Sequence, residues 1–395
     1  MKVLNGGLEN VKGFSFSTIK CGIRYENRLD YALIFSETPC NAAGVFTTNR
    51  ITAAPVKICR ERINNTIHAI LINATNANAC TGNEGFDNVI RLTDDLATKM
   101  KIPQDSILAA STGIIGRQLP VEKMLSSHPE LIKNLHISTG HSMAEAIMTT
   151  DTIPKEASAG FDQDGITYHV AGIAKGSGMI SPNMATLLSF LLTDAPIDPE
   201  DMKTIFKKIV KKTFNAITID GDMSTNDTAI ILSPVSSGYL SGESLNEFEL
   251  SLEYVMNKLA ELLIFDGEGA TKGVKINVIN ASSEKDAELI ASAVSKSLLV
   301  KTAFFGNDPN WGRIACAAGY SGAELQEDRL SIYINKKGLL IKGKPSEVDY
   351  KELEEILKMR NYTITIDAGL GDGEASMLTT DISYDYVKIN ATYST

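Results

Sequence analysis

Residues 171–195 read AGIAKGSGMISPNMATLLSFLLTDA, in which two apolar segments are joined by a loop that contains glycine and proline. The first segment continues the alternating pattern of residues 166–174, and residues 187–192 form an apolar run of strand length. Both segments are therefore predicted to be β-strands. The simplest interpretation is a loop between two buried strands, with Thr186 as a β-branched residue that starts the second strand.

The bond between Ala185 and Thr186 supports a second, chemical interpretation. Cleavage there would place a hydroxyl and a free α-amine on one threonine, and an α-amine has an ordinary pKa of about 7.7–8.0. Such an amine can act as general base for its own hydroxyl, which makes Thr186 a candidate N-terminal nucleophile. The charge of nearby Lys175 would lower the pKa of that amine and keep it neutral. The residues alone leave both interpretations open.

Strand and helix patterns alternate along the chain without a strict βα repeat, which predicts an α/β (α+β) protein with layered sheets and helices. Two helix starts are predicted from their caps, an N-cap at Asp198 and a capping box formed by Ser244 and Glu247. The remaining predictions are strands at 31–35, 67–72, 107–110 and 362–366, a strand–turn–strand around Lys337-Gly338, and helices at 84–100, 246–265, 283–297 and 349–358.

The composition excludes several classes of protein. The chain has 395 residues, with 38 Lys and Arg against 48 Asp and Glu, and a formal net charge of −10. Nucleic acids and anionic membranes need a basic face, so neither is an expected partner. The sequence has no apolar run of about 18 residues that predicts a membrane span, and its N-terminus lacks the apolar core of a signal peptide. Five widely spaced cysteines without a CxxC pair favour reduced thiols and a cytoplasmic location.

Residues 220–227, DGDMSTND, begin like a calcium-binding loop. They lack the glycine and the glutamate that an EF-hand needs at its sixth and twelfth positions. A turn whose side chains bond to its own backbone is the favoured interpretation. The five histidines show no zinc-ligand spacing, so no metal site is predicted.

Short motifs accompany KGSGMISPNMAT (175–186) along nearly the whole chain. They are GVFTTNR at 44–50, AAPV at 53–56, NANA at 76–79, STGIIG at 111–116, DGD at 220–222 with STND at 224–227, GEGATK at 267–272, NDPNWGR at 307–313 and SYDYVKIN at 383–390. In this order they resemble the ornithine acetyltransferase family of arginine biosynthesis. Each motif alone is a weak signal, but their order over the chain makes the resemblance specific.

The resemblance implies self-cleavage into an α chain (1–185) and a β chain (186–395) that begins with the nucleophile. Family members keep the two chains interleaved, usually as an α2β2 heterotetramer. The implied fold is an α/β architecture with two subdomains and the active site between them. The family uses no metal and no organic cofactor.

The implied reaction is a ping-pong acetyl transfer from N2-acetylornithine to glutamate, which gives ornithine and N-acetylglutamate. Some members also accept acetyl-CoA as donor. Two other functions stay open: an N-terminal-nucleophile amidase or aminopeptidase that uses water as acceptor, and a non-catalytic amino-acid-binding paralogue. A paralogue that serves a secondary pathway is a further alternative.

Residue roles carry over from the family by position. Thr186 is the implied nucleophile and, through its amine, the base, while Thr112 and Gly113 match the oxyanion-hole pair. The implied substrate-binding residues are Thr152, Lys175, Thr186, Glu268, Asn390 and Thr395. Their chemistry agrees with the substrates, because a carboxylate pairs with the ammonium of ornithine and a lysine pairs with substrate carboxylates.

The chain departs from the family pattern at Ala74-Thr75, where family members usually have Ser-Gly. A threonine does not adopt the positive φ of a glycine without cost. We therefore expect an altered loop at these residues, with an effect on substrate preference.

Overall fold

The computed structural model describes residues 1–181 and 187–392. The predicted nucleophile Thr186, the cleavage-site residue Ala185 and the predicted ligand Thr395 lie outside the described residues. None of the helices in these two ranges is long and apolar enough to span a membrane.

The described residues form two sheets and a set of helices. The strands are Lys2–Leu4 (β1), Phe14–Ile19 (β2), Tyr31–Phe46 (β3), Ile67–Asn73 (β4), Ile107–Ser111 (β5), Lys155–Gln163 (β6), Ile166–Lys175 (β7), Leu188–Thr193 (β8), Ile217–Thr218 (β9), Thr228–Pro234 (β10), Gly273–Ala281 (β11), Ser331–Ile334 (β12), Lys337–Ile341 (β13), Lys344–Pro345 (β14), Asn361–Asp367 (β15) and Gly373–Thr380 (β16). The helices are Ala54–Arg62 (α1), Gly82–Met100 (α2), Val121–Lys133 (α3), Gly140–Ala146 (α4), Pro199–Lys212 (α5), Glu243–Phe265 (α6), Glu284–Lys296 (α7), Leu298–Phe305 (α8), Trp311–Gly319 (α9), Tyr350–Lys358 (α10) and Tyr384–Thr392 (α11).

The first sheet has the strand order β1-β6-β7-β8-β10-β3-β4-β5, and β2 also pairs with β3. The first half of the long strand β3 pairs with β2 and β4, whereas its second half, from Cys40 onward, pairs with β10. The register between β3 and β4 shifts between Phe35 and Cys40. The strand therefore belongs to two halves of one sheet.

These two halves pack face to face and are covered by helices on their outer sides. Their shared core contains Ile34 and Ile70 from one half and Phe190 and Ile230 from the other. Helices α2 and α3 cover the outer face of the half that contains β2, β4 and β5. Helices α5 and α6 cover the outer face of the half that contains β6, β7, β8 and β10. The result is a four-layer arrangement of helix, sheet, sheet and helix.

The sequence of β8 is apolar throughout because both faces of this strand are buried. Successive side chains of a strand point to opposite faces, and Leu188, Phe190 and Leu192 belong to the core between the half-sheets while Leu191 packs toward α5 and α6. A strand that is buried on both faces reads as a continuous apolar run rather than an alternating one. The strand predicted at 187–192 is therefore confirmed.

The second sheet has the order β14-β13-β12-β15-β11-β16-β9. Its core is formed with α7, α8, α9 and α10, separately from the cores of the first sheet. The predicted mixed fold with two subdomains is confirmed by these two sheets with their own cores.

One predicted cap is confirmed and two local predictions are wrong. Asp198 accepts hydrogen bonds from the N–H groups of Glu200 and Asp201. The helix predicted to start at Ser283 is present, and the Ser283 hydroxyl caps it. The capping box at Ser244 is wrong, because α6 begins at Glu243 and the Ser244 hydroxyl donates to the carbonyl of Ser241.

The turn predicted at Lys337-Gly338 lies two residues earlier. Lys337 and Gly338 belong to β13, and the chain turns at residues 335–336. Asn335 has a φ of +51°, a conformation that asparagine tolerates better than most residues. The more obvious turn residue, Gly338, is needed in the strand instead, since a Cβ there would lie 2.5 Å from the side chain of Ile341.

Candidate active site

A cavity of about 130 Å³ lies where β5 and β7 end. Most of its wall comes from loops of the first sheet, and the segment before β11 and the C-terminal helix α11 complete it. The described residues that line it are Ala77, Thr112, Gly113, Ile115, Thr149, Thr150, Lys175, Gly178, Met179, Ser224, Thr225, Asn226, Glu268 and Asn390. The cavity thus lies on the first subdomain and is completed by the segments that lead into and out of the second.

Thr112 and Gly113 form the turn that follows β5. Gly113 has a φ of +133°, and a Cβ there would lie 2.2 Å from the carbonyl carbon of Thr75 and 2.4 Å from the nitrogen of Asn76. Backbone atoms cannot yield as a flexible side chain can, so only glycine fits this position. The close contact with the loop of residues 74–80 fixes the oxyanion pair against a neighbouring segment.

The loop of residues 74–80 contains a positive φ at Thr75, the conformation that is costly for a threonine. Thr75 has a φ of +73°, its side chain is buried, and its hydroxyl has no hydrogen-bond partner. The threonine therefore takes a left-handed conformation that favours glycine, and it carries the strain of a β-branched residue there. The amide of Asn226 stabilises the loop by donating to the carbonyls of Ala77 (2.6 Å) and Ser111 (2.8 Å).

Lys175 is the last residue of β7 and is buried against Thr112. Its Nζ donates to Thr112 Oγ1 at 3.2 Å. Burial lowers the pKa of the Lys175 ammonium below its ordinary value, and the carboxylate of Asp151 partly offsets that effect. Since an ammonium can only donate, the hydroxyl proton of Thr112 stays available for another acceptor.

Asp151 anchors a buried ion network beside this lysine. It accepts from the N–H of Gly176 at 2.7 Å and from Lys155 Nζ at 2.6 Å. Lys155 also donates to Asp266 at 2.6 Å, so one buried ammonium joins two carboxylates. Burial by itself would raise the pKa of Asp151, but Lys175, Lys155 and the Gly176 N–H outweigh it and lower the pKa to about 2.

Glu268 and Asn390 meet on the opposite part of the wall. Asn390 on α11 donates to Glu268 Oε2 at 2.8 Å, and the Glu268 N–H donates to the carbonyl of Ser177 at 2.7 Å. A Cβ on Gly178 would lie 2.4 Å from Glu268 Oε2. Gly178 is therefore required so that this carboxylate can approach the loop.

Both ends of the segment 182–186 are attached to the loop between β9 and β10. Upstream, the carboxylate of Asp220 accepts from the N–H groups of Met179 and Ile180. Downstream, Asp227 accepts from the N–H of Leu187 at 3.0 Å. Burial raises the pKa of both carboxyls, that of Asp220 to about 6. In residues 1–181 and 187–392, no group of side chains is arranged to hold a metal ion.

Five of the predicted site residues meet at the cavity: Thr112, Gly113, Lys175, Glu268 and Asn390. Thr152 does not line it, because its N–H and hydroxyl both bond to Asp266. The roles predicted for Thr152, Thr186 and Thr395 stay predictions.

No sequence motif indicated Asp151, which lies outside all of those quoted above. The residue types of 220–227 predicted only a turn, although these residues belong to the motifs of the family resemblance. The turn is real, since Asp220 accepts from the N–H of Asp222, but its carboxylate also holds the loop of Met179.

Curated proteins of known name match nearly the whole chain. The arginine biosynthesis bifunctional protein ArgJ of Geobacter sulfurreducens is 46% identical, over 98% of this chain and 100% of its own. The glutamate N-acetyltransferase of Methanocaldococcus jannaschii is 42% identical, over the full length of both chains. A crystal structure of ArgJ from Bacillus halodurans is 36% identical and covers 52% of this chain and 98% of its own, with a TM-score of 0.49. The two curated sequence relatives define an enzyme of the acyltransferase class.

A sequence profile identifies the family of this chain. The profile of the ArgJ family matches residues 15–395. The chain belongs to the ArgJ family, and the resemblance inferred from the sequence motifs is confirmed.

Proposed function

We propose that this protein transfers an acetyl group from N2-acetylornithine to glutamate through an acetyl-Thr186 intermediate. The observation that carries the proposal is that Thr112, Gly113, Lys175, Glu268 and Asn390 line a single cavity. The names of the relatives, glutamate N-acetyltransferase and arginine biosynthesis bifunctional protein, agree with it.

The proposed reaction consists of two half-reactions, acetylation of Thr186 and transfer of the acetyl group to glutamate. The hydroxyl of Thr186 attacks the acetyl carbonyl while its freed α-amine accepts the hydroxyl proton. That proton passes to the departing amine of ornithine, and an ester on Thr186 remains. The amine of glutamate then attacks the ester carbonyl, and the Thr186 oxygen regains a proton as N-acetylglutamate leaves.

Thr112 and Gly113 stabilise the negative oxygen that forms in both half-reactions. Because Lys175 already donates to Thr112 Oγ1, the Thr112 hydroxyl is oriented to donate its proton elsewhere. The lysine also increases the positive potential at that donor. A donor of this kind contributes about 10²–10³ in rate.

Charges on the cavity wall agree with amino-acid substrates. Glu268 is the partner for the side-chain ammonium of ornithine. Asn390 holds the Glu268 carboxylate in place. Lys175 is the partner for a substrate carboxylate. Thr152 and Thr395 complete the proposed binding set.

Maturation precedes this chemistry in the proposal. The chain cleaves itself between Ala185 and Thr186, and the fragments 1–185 and 186–395 assemble as an α2β2 heterotetramer in the cytoplasm. The scheme requires no metal or organic cofactor, and acetyl-CoA is a second acetyl donor to be assayed as a co-substrate.

The test is an acetyl-transfer assay on matched variants. Thr186→Ala is expected to abolish cleavage and transfer, and Thr186→Ser to retain part of both. Thr112→Val is expected to lower kcat by about 10²–10³. The control is Thr98→Val, a threonine of α2 whose hydroxyl bonds only to its own helix. Normal transfer by Thr186→Ala would contradict the mechanism.

The same assay separates the alternatives. Rapid release of acetate without glutamate would favour an amidase or aminopeptidase. An uncut chain that binds ornithine or glutamate without turnover would favour a binding protein. Deletion of Thr395 with unchanged kinetics would remove that residue from the binding set.

A further inference from the structure

The loop of residues 219–227 connects β9 to β10 and bonds to the chain on both sides of 182–186. Asp220 binds the upstream side and Asp227 the downstream side. The proposed chemistry assigns no role to either carboxylate. Because the two carboxylates bind the chain on both sides of residues 182–186, their role is expected to concern the bond between Ala185 and Thr186.

Asp220 holds two consecutive N–H groups with its two oxygens. Oδ2 accepts from the N–H of Met179, and Oδ1 accepts from the N–H of Ile180 at 2.9 Å. Met179 has a φ of +57°, so these bonds maintain a backbone conformation that a methionine rarely adopts. The Ile180 carbonyl is held as well, by the N–H of Ile219 (2.8 Å) and the hydroxyl of Thr218 (2.9 Å).

Asp227 holds the chain where β8 begins. It is buried, and its Oδ1 accepts from the Leu187 N–H. The Leu187 carbonyl in turn accepts from the N–H of Thr228 at 3.0 Å. Both backbone polar groups of the residue that follows Thr186 are thus bound to the end of one loop.

We propose that residues 219–227 are a backbone clamp for self-cleavage, in which Asp220 and Asp227 are positioning residues that hold the chain before and after the scissile bond. This inference rests on the proposed cleavage at Ala185-Thr186. Holding both sides fixes the direction from which the Thr186 hydroxyl approaches the preceding carbonyl, and positioning of this kind contributes strongly to intramolecular reactions. In this attack the hydroxyl oxygen bonds to the Ala185 carbonyl carbon, the C–N bond breaks, and the hydroxyl proton passes to the nitrogen that becomes the Thr186 α-amine. Water then hydrolyses the resulting ester, which leaves a carboxylate on Ala185 and restores the Thr186 hydroxyl.

The clamp is also connected to the cavity wall. The phenol of Tyr386 donates to Asp220 Oδ2 at 3.4 Å, and Tyr386 lies on α11, the helix that carries Asn390. The clamp loop also supplies Ser224, Thr225 and Asn226 to the cavity lining. One loop therefore contacts the chain on both sides of residues 182–186, the C-terminal helix and the end of β5.

Asp220→Asn is the sharpest test of the clamp. An amide has one acceptor oxygen, so its NH₂ group would face one of the two N–H groups, and one charge-assisted bond is lost. We expect cleavage to be about 10- to 100-fold slower, as followed by denaturing mass spectrometry of freshly purified precursor. Asp227→Val, which removes the oxygen that accepts from the Leu187 N–H, is expected to slow cleavage as well.

Asp222→Asn is the matched control. Asp222 lies in the same loop and is exposed, and its carboxylate holds neither Met179 nor Ile180. This variant is expected to cleave at the wild-type rate. Slow cleavage by Asp222→Asn as well would indicate a general effect of loop charge and would overturn the clamp.

The pH dependence of wild-type cleavage provides a readout that a merely structural role would not give. Burial raises the pKa of Asp220 to about 6, and the groups that face it are Asp222 on its own loop, Tyr386 on α11 and Lys301 on α8. An ionised Asp220 accepts both N–H groups, so cleavage should slow as pH falls through about 6 and Asp220→Asn should lose this dependence. If that variant does not fold, a flat wild-type profile between about pH 5 and 7 overturns the proposal by itself.

The outcomes separate this inference from the proposed function. Cleavage of wild type and of both clamp variants at equal rates overturns the clamp and leaves the acetyl transfer intact. An uncut but active wild-type chain overturns the proposed nucleophile and, with it, the purpose of the clamp. Slow cleavage of Asp220→Asn and Asp227→Val beside normal Asp222→Asn supports both.

Discussion

The contact between Gly113 and Thr75 joins the oxyanion turn to a strained loop. The sequence indicated both residues, the first through its motif and the second through its departure from the family pattern. It could not indicate that they touch, because the contact depends on how the segments that follow β4 and β5 pair through Asn76. A positive φ at a β-branched residue is not foreseeable from local propensity, since neighbouring structure imposes it.

Gly113→Ala is expected to disable the enzyme. Its Cβ would lie 2.2 Å from Thr75 and the backbone cannot move aside without opening the turn. We expect a fall in kcat comparable to loss of an oxyanion donor, about 10²–10³. The control is Gly116→Ala, which has a φ of +82° but meets no atom within 4 Å, so it tests backbone strain without the clash. Equal kinetics of the two variants would contradict this account.

Thr75→Gly is expected to stabilise the protein. It relieves a left-handed conformation that costs about 1–2 kcal/mol and removes a buried hydroxyl without a partner, which together exceed the added flexibility of the unfolded chain. Urea unfolding should show a gain of about 0.5–1 kcal/mol. Asn78→Gly is the contrast, because Asn78 also has a positive φ but its amide donates to the Gly85 carbonyl. Stabilisation by Asn78→Gly and not by Thr75→Gly would reverse the argument.

At the scale of elements, prediction from sequence succeeded where burial dictates the pattern. The strand β8 is apolar because both of its faces are buried, and Asp198 begins α5 because its side chain caps the first N–H groups. The predicted capping box at the start of α6 is wrong, because the Ser244 hydroxyl donates back to the Ser241 carbonyl instead of capping the helix. Competing hydrogen bonds of a serine are decided by the preceding loop, whose path the sequence does not specify.

Lys155 on β6 joins two elements through its buried ion pairs. Its side chain is fully buried, and those of Asp151 and Asp266 are 0% and 5% exposed. Lys155→Met leaves two buried carboxylates without their cation and is expected to cost about 3–5 kcal/mol of unfolding free energy. Lys2→Met is the control, because its ion pair with Asp162 is largely exposed and exposed pairs contribute little to stability. A similar small loss in both variants would contradict the role of the network.

The same network predicts a dependence of stability on pH. The pKa of Asp151 is lowered from 3.8 to about 2 in the folded state, so its contribution is complete above pH 3.8 and is lost as pH falls through about 2. Lys155→Met removes one cause of the lowered pKa, so the interval between the folded and the unfolded pKa of Asp151 narrows, and the loss of stability on acidification should be smaller. Urea unfolding at successive pH values measures this loss. An unchanged acid profile would show that Lys155 does not control Asp151.

At the scale of the whole molecule, the four layers of the first subdomain position loops from distant parts of the sequence around one cavity. Thr112 follows β5 and Lys175 ends β7, both strands of the first sheet, while Glu268 precedes β11 and Asn390 lies on α11. Sequence motifs indicated these residues, but their meeting follows from the packing of the half-sheets and from the return of α11. The proposed α2β2 assembly belongs to this scale and is measurable by the mass of the purified particle in solution.

Cleavage in front of Thr186 is the central claim, and denaturing mass spectrometry with N-terminal sequencing tests it most directly. The account predicts two fragments, residues 1–185 and 186–395, and a new N-terminal threonine, in preparations that transfer acetyl groups to glutamate. A single intact chain with full transfer activity would contradict it, because the free α-amine would then be absent from the working enzyme.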